Sequence, residues 1–387
     1  MFTFDPYSPQ VDADPFPYYK TLRDEHPCFW SPEARMWVLS RHADIKVALQ
    51  DWQTYSSARG NLMDELPDRA GATRGTTDPP RHDRMRALIS HAFTKRNLEA
   101  AGEPVRAVVR GVLEEIRDRR EFDFVGDFSS KVTAKILFRI LGLPEGDDQE
   151  VRERAVLMVQ SDPVTRQKGA EHVAAYRWMM DYAGGVIAER RRNPGEDLLS
   201  QFCLAEIDGE RLTEREVLLT TTTLIMAGVE SLGGFTVMFG LNMADFAAAR
   251  REIVADPALL PDAIEESLRY NTSGQRFRRS LMRDVSLHGQ TMKAGDFVCL
   301  AYGAANRDER QFPDPDRYDI RRKPRTHLGF GGGVHACLGS MVARMAVRIT
   351  FEEFLSAFPN FSRVHQDLPW MPSTTFRSPM RLDLAVH

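Results

Sequence analysis

Between residues 218 and 241 the chain carries a single formal charge, Glu230, in a stretch otherwise apolar or small. Two environments accept such a run: the hydrocarbon of a bilayer, or the middle of a protein where a helix is covered on every side. The four threonines Thr220 to Thr223 and the glycines Gly228, Gly233, Gly234 and Gly240 weaken the bilayer reading, so a helix buried in a large core is expected. A carboxylate inside it is costly unless compensated, and Glu230 therefore asks for a functional explanation.

The rest of the chain can supply that core. Apolar residues recur at helical spacing over about 97–142 and again over 151–192. Strand patterns occur at 29–30 and 36–39, before a helix beginning near His42, and later at 285–287 ahead of a His288-Gly289 turn, at 297–302 and around 382–385. No repeat, low-complexity run or linker interrupts the 387 residues, so one domain over 1–387 is expected, mainly α with a small β region. A net charge of −4 argues against nucleic acid as a partner, because neutralising a phosphate backbone takes clustered cations. The cysteines Cys28, Cys203, Cys299 and Cys337 show no CxxC spacing, which suggests neither a disulfide framework nor a zinc site, and a reducing compartment. The opening Met1-Phe2-Thr3-Phe4-Asp5-Pro6 lacks a basic stretch followed by an apolar one, so a cytoplasmic location without membrane attachment is expected.

The sharpest chemical signal is Phe330-Gly331-Gly332-Gly333-Val334-His335-Ala336-Cys337-Leu338-Gly339, followed by a helical pattern over 340–351. Three successive glycines allow a tight turn that points amide N–H groups at one sulfur. The positive end of the helix that follows favours thiolate over thiol. Two plainer readings compete, a small buried cysteine in a turn and a phosphate-binding loop; the second lacks the Lys-Ser/Thr pair. The decapeptide resembles the haem-binding loop of the cytochromes P-450, with aromatic residue, glycines, basic residue and cysteine in register. That resemblance implies a cytochrome P-450 fold holding haem b between the long central helix and the Cys-loop helix. It makes Cys337 the metal ligand, sets Phe330, Gly339 and Ala227 against the cofactor, and makes dioxygen the co-substrate. A proximal thiolate favours O–O bond cleavage.

Other segments extend the resemblance over almost the whole chain. Glu266 and Arg269 share a helix face at i, i+3, and the family pattern implies a buried network with a later arginine, here Arg317. Asp78-Pro79-Pro80 reads as a helix start with Asp78 as cap, placing His82 and Arg86 on one face. The resemblance puts His82, Arg86, Arg279 and His335 at propionate-binding positions, where anions require cationic or hydrogen-bonding partners. Ala227-Gly228-Val229-Glu230-Ser231 resembles the family's oxygen-binding kink. Reductive cleavage of dioxygen consumes two protons, and an acid beside an alcohol, Glu230 and Ser231, can deliver them from solvent. Ser231 stands where threonine is usual, and segment 271–275 lacks the proline often found there. Thr223, Ala227, Gln275, Phe277, Thr375 and Phe376 are expected to line the substrate cavity, with some part of 59–75.

The expected activity is therefore insertion of one oxygen atom into a small, mainly apolar organic substrate. Dealkylation, epoxidation, desaturation and coupling are alternatives on the same fold, and a haem-thiolate sensor is a more distant one. Electrons are expected from a ferredoxin and its reductase, docking on a basic face of Arg84, Lys95, Arg96 and Arg344, with the oxygenase a monomer.

Overall fold

The computed structural model describes residues 2–66, 68–90, 95–162, 164–165, 167–207 and 209–387, with side chains described for all of these except 95–99. Its axis is the helix Glu214–Asp245, 32 residues long. The first turn is closed by a reciprocal cap: Glu216 N donates to Thr213 Oγ1 at 3.2 Å, and Thr213 N donates to Glu216 Oε2 at 2.9 Å. By length and hydropathy this helix could cross a bilayer, but most of it is buried inside the protein. Helices Ser130–Leu141, Asp148–Val159 and Ala170–Arg192 pack against it, as do Leu260–Tyr270 and Ser340–Ala357.

The central helix belongs to two hydrophobic cores. Its first half, through Ile225, Met226 and Val229, packs with Leu137, Met158 and Met179. Its second half, through Phe235, Met238 and Phe239, packs with Phe124, Phe128, Phe351 and Phe354. Small residues make both contacts close: a Cβ on Gly228 would come within 2.5 Å of Leu137, and one on Gly240 within 2.6 Å of the Phe124 ring.

A five-stranded sheet runs in the order Cys28–Ser31, Met36–Leu39, Phe297–Ala301, Arg276–Leu281, Tyr55–Ser56. Met36–Leu39 and Phe297–Ala301 are parallel, Val38 opposite Cys299, and the other pairs are antiparallel. The hairpin Val285–Leu287 to Gln290–Met292 turns through His288 and Gly289, both at positive φ. The expected helical stretch 97–142 is interrupted by the strand Glu121–Asp123 and the wide turn Phe124–Ser129. The interruption is non-local in origin, since Glu121–Asp123 pairs with Asp383–Val386 at the far end of the chain.

Two sequence expectations need correction. Asp78 does not cap the helix Arg81–Ser90 with its side chain; its carboxylate accepts from Ser57 N at 3.0 Å and from Ser56 Oγ, pinning the edge strand instead. Arg317 contributes no side chain to the buried ion network. Arg269 binds Glu266 through two bonds of 2.7 and 2.8 Å, and the third member is Arg322, whose Nε lies 3.2 Å from Glu266 Oε1. The Arg317 side chain is exposed, and only its carbonyl takes part, accepting from Arg269 Nη2 at 3.2 Å.

Glu266 and Arg269 are both fully buried. Replacing Arg269 with Met removes both of its bonds to Glu266 and leaves Arg322 as the cation facing that buried carboxylate, which is expected to cost on the order of 3–5 kcal/mol in denaturant unfolding. Arg317→Ala is expected to change stability by less than about 0.5 kcal/mol, as a surface substitution does.

Candidate functional site

A cavity of about 320 Å³ separates the central helix from the glycine-rich loop. Thr220, Thr223, Ala227 and Ser231 enter its wall at helical spacing, and Phe330, Cys337 and Gly339 form the opposite side. The loop reaches that position through backbone only glycine adopts without strain: Gly331 and Gly333 have φ of +65° and +62°. At Gly333 a Cβ would lie 1.8 Å from the carbonyl oxygen of Leu49, so the loop rests directly on the end of helix His42–Gln50. Cys337 N donates to Phe330 O at 2.9 Å and Ala336 N to Gly333 O at 3.1 Å, closing the turn.

Cys337 is exposed, and the space it is exposed to is the cavity. Burial pushes its thiol pKa up, while the Gly339 N–H on the sulfur and the guanidinium groups of Arg74, Arg344 and Arg86 pull it down. The helix Ser340–Ala357 begins three residues later. Phe330 is clamped from outside: the Arg344 guanidinium sits 4.5 Å above its ring and is itself held by Glu265 at 2.6 and 2.9 Å.

The basic residues named from sequence divide into two groups. Arg279 and His335 line the cavity, whereas His82 and Arg86 stand behind that wall. Arg86 Nη1 is engaged by the loop backbone, donating to Val334 O at 3.2 Å and Ala336 O at 2.9 Å. His82 packs edge-on against His335, ring centres 4.6 Å apart. Burial pushes the His335 pKa down to about 4; Asp78 opposes the shift and Arg279 adds to it. Asp78 Oδ1 lies 3.7 Å from His335 Nε2, within ionic reach but beyond a hydrogen bond. Arg74 was visible in the sequence only as part of the loop 59–75, yet its side chain reaches the same wall. Among the described residues Arg74 Nη1, His82 Nε2 and both ring nitrogens of His335 are buried without hydrogen-bond partners.

On the distal side Ser231 faces the cavity and Glu230, one residue earlier on the helix, does not. Glu230 is 5 % exposed. Burial pushes its carboxyl up to about 7 against the pull of Arg152 and Lys168. Of the expected pocket residues Thr223, Ala227, Phe277 and Phe376 line the cavity, and Gln275 and Thr375 do not. A buried amide must find partners, and Gln275 finds them away from the cavity, accepting from Tyr19 Oη and donating to Thr272 O. Thr375 Oγ1 is likewise occupied, accepting from Met63 N at 3.1 Å. Of the expected docking face, Arg84 is paired with Glu210 and Arg344 with Glu265, while the side chains of Lys95 and Arg96 lie outside the described residues.

A family model described as cytochrome P450 matches residues 252–379. Over almost its whole length the chain is similar to the nocardicin C N-oxygenase of Nocardia uniformis subsp. tsuyamanensis, 33% identical with 97% of each chain covered. The chain belongs to the cytochrome P450 family. Cyclomarin C epoxidase CymV of Salinispora arenicola is a further relative, 34% identical over 90% of this chain and 89% of that one. Among solved structures, the cytochrome P450 PksS of the Bacillus subtilis 168 bacillaene polyketide synthase superposes with a TM-score of 0.91 at 26% identity, covering 99% of this chain and 100% of that one. CYP109Q5 of Chondromyces apiculatus gives 0.90 at 29% identity, covering 99% and 98%. The mainly helical P450 fold expected from sequence is thus borne out, and with it a haem b monooxygenase that takes dioxygen as co-substrate.

The residues present fit a bound haem. A cysteine sulfur opens on the cavity with an N–H directed at it, and unpartnered buried donors on Arg74 and His335 collect on one wall, as a dianionic cofactor edge requires.

Glu230 ties this site to stability. Between about pH 4.5 and 7 the folded protein keeps a proton that the unfolded chain has released, so the Glu230 contribution falls as pH rises through that window. Glu230→Gln removes the effect. Relative to wild type, the variant is expected to gain about 2–3 kcal/mol between about pH 5 and about pH 8 in denaturant unfolding.

Proposed function

We propose that this P450 inserts oxygen into a small, mainly apolar molecule held between the central helix and Phe376, with Cys337 as the residue that would hold the haem iron and Glu230 and Ser231 as the proton relay. The observation that carries the reading is the Cys337 sulfur facing the cavity beneath Ala227 and Ser231. The sulfur of Cys337 would hold a haem whose iron, when bound, would supply the chemistry of dioxygen reduction. The protein supplies the rest. Gly331 and Gly333 hold the sulfur in place, Arg74, Arg279 and His335 would bind the propionates, and the apolar walls exclude water. Glu230, poised near neutrality, takes a proton from solvent and the Ser231 hydroxyl passes it to the cavity. A sensor needs no titratable acid beside a cavity-facing hydroxyl, which disfavours that alternative. The N-oxygenase and epoxidase relatives support keeping attack on a heteroatom or a double bond beside C–H hydroxylation as proposed outcomes here.

Electrons are proposed to come from a ferredoxin and its reductase, acting on a monomeric, cytoplasmic oxygenase. The nocardicin relative is matched over 97% of its own length, which leaves little room in it for a fused reductase. Arg84 and Arg344 are already ion-paired, so docking relies on cations beyond those two.

The deciding experiment is the spectrum of the haem-loaded, reduced protein under carbon monoxide. Wild type is expected to show the red-shifted band of thiolate-ligated iron and Cys337→His to lose it; an unshifted wild-type band would overturn the ligand assignment. Ser231→Ala is expected to raise peroxide released per electron consumed severalfold while retaining the band. Unchanged coupling would remove Ser231 from the relay.

A further inference from the structure

The cavity lining holds polar side chains beyond the Arg74, Arg279 and His335 proposed for the propionates. Arg69 lines the cavity, its side chain is only 3% exposed, and its Nε has no hydrogen-bond partner among the described residues. Thr220 and Thr223 also line it with unpartnered hydroxyls. Two other threonines on the same helix are bonded, Thr222 Oγ1 donating to Leu218 O at 2.9 Å and Thr236 Oγ1 to Leu232 O at 2.8 Å, while Thr221 Oγ1 is also unpartnered but does not line the cavity. Helical back-bonding is thus available on this helix, and Thr220 and Thr223 do not use it.

The loop carrying Arg69 is tied to the start of the helix that carries these threonines. Thr76 Oγ1 donates to Arg69 O, and Arg81 joins Gly71 O to Glu216 Oε1 in the first turn of the central helix. Leaving three buried donors unsatisfied is costly, so a ligand acceptor is the natural complement. The charge of Arg69 is already met by Glu65, which also accepts from Asn61 N at 2.9 Å and Leu66 N at 3.1 Å. An incoming anion would be repelled by that carboxylate, a neutral oxygen far less so.

We infer that Arg69, Thr220 and Thr223 form a recognition site for a neutral carbonyl oxygen of the substrate, remote from the carbon that is oxidised. The helix sets the spacing. At 1.5 Å per residue, Thr223 and Thr220 stand about 6 and about 10 Å along the axis from Ala227. Substrates carrying a ketone, ester or amide carbonyl at that distance from the reacting atom are therefore selected, and their oxidation site is fixed by the length between the two ends. The inference rests on the haem-monooxygenase reading and adds a substrate class to it.

The test titrates the haem-loaded protein with decane, 2-decanone and decanoate at about pH 8, following the shift of the haem absorption band. 2-Decanone is expected to bind at least ten-fold more tightly than decane and more tightly than decanoate. The double variant Thr220→Val, Thr223→Val keeps side-chain shape and breaks no hydrogen bond seen in the fold, so it is expected to fold and to bring the decane-to-ketone ratio close to one. A ratio near one in wild type, or a ratio that survives the double substitution, overturns the carbonyl site; decanoate binding ten-fold more tightly than the ketone overturns its neutrality and marks an anion site. The carbon monoxide spectrum of the wild type separates the two levels: a thiolate band with no ketone preference defeats this inference alone, and a missing band defeats the reading beneath it.

Discussion

The structure depends on one contact with no room in it, the seating of Gly333 on the carbonyl oxygen of Leu49. Because no side chain separates these two stretches of backbone, the loop has a single place to lie. The direction of the Cys337 sulfur follows from that place. Arg86 then fastens the loop from one side through the carbonyls of Val334 and Ala336, and the stack of Glu265, Arg344 and Phe330 fastens it from the other. The sulfur is thus aimed by steric exclusion and held by hydrogen bonds, with little left to side-chain choice at position 337 itself.

Charge around the cavity is arranged by function. Arg74 and His335 keep buried polar atoms unpartnered on the cavity wall, and Arg279, which donates to Arg278 O, lines it beside them. Arg269 and Arg322 are saturated by Glu266 and by carbonyls of the 313–317 turn, and serve only to hold that turn beneath the helix Leu260–Tyr270. Glu230 belongs to neither set. It is buried, and Arg152 and Lys168 only partly offset that burial, which leaves its carboxyl poised at about 7.

The parts legible in the sequence were those whose physics is local. Glycine at 331 and 333 announces positive φ wherever the chain goes, and one charge in 24 residues announces a buried helix in any fold. What failed to show was set by the path of the chain in three dimensions. Arg317 and Arg322 are five residues apart and chemically alike; which one reaches Glu266 depends on how the intervening turn bends. Asp78 has the look of a cap, but a neighbouring strand offered Ser56 and Ser57 first. Gln275 and Phe277 flank one position, and the buried amide turned toward Tyr19 while the ring turned toward the cavity. The strand Glu121–Asp123 exists because the last residues of the chain lie beside it.

The division of the central helix between two cores has a mechanical consequence. The Phe-rich core around Phe351 and Phe354 joins the second half of the helix to the helix that follows the cysteine, so the two walls of the cavity move as one piece there. The other core, built on Met158, Met179 and Tyr176, contributes helices that meet the first half only. The Asp148–Val159 and Ala170–Arg192 helices are therefore tied to the first half of the roof, and the helix behind the sulfur to the second. Packing against the substrate-side helices and alignment over the cysteine are thereby assigned to opposite ends of a single rod.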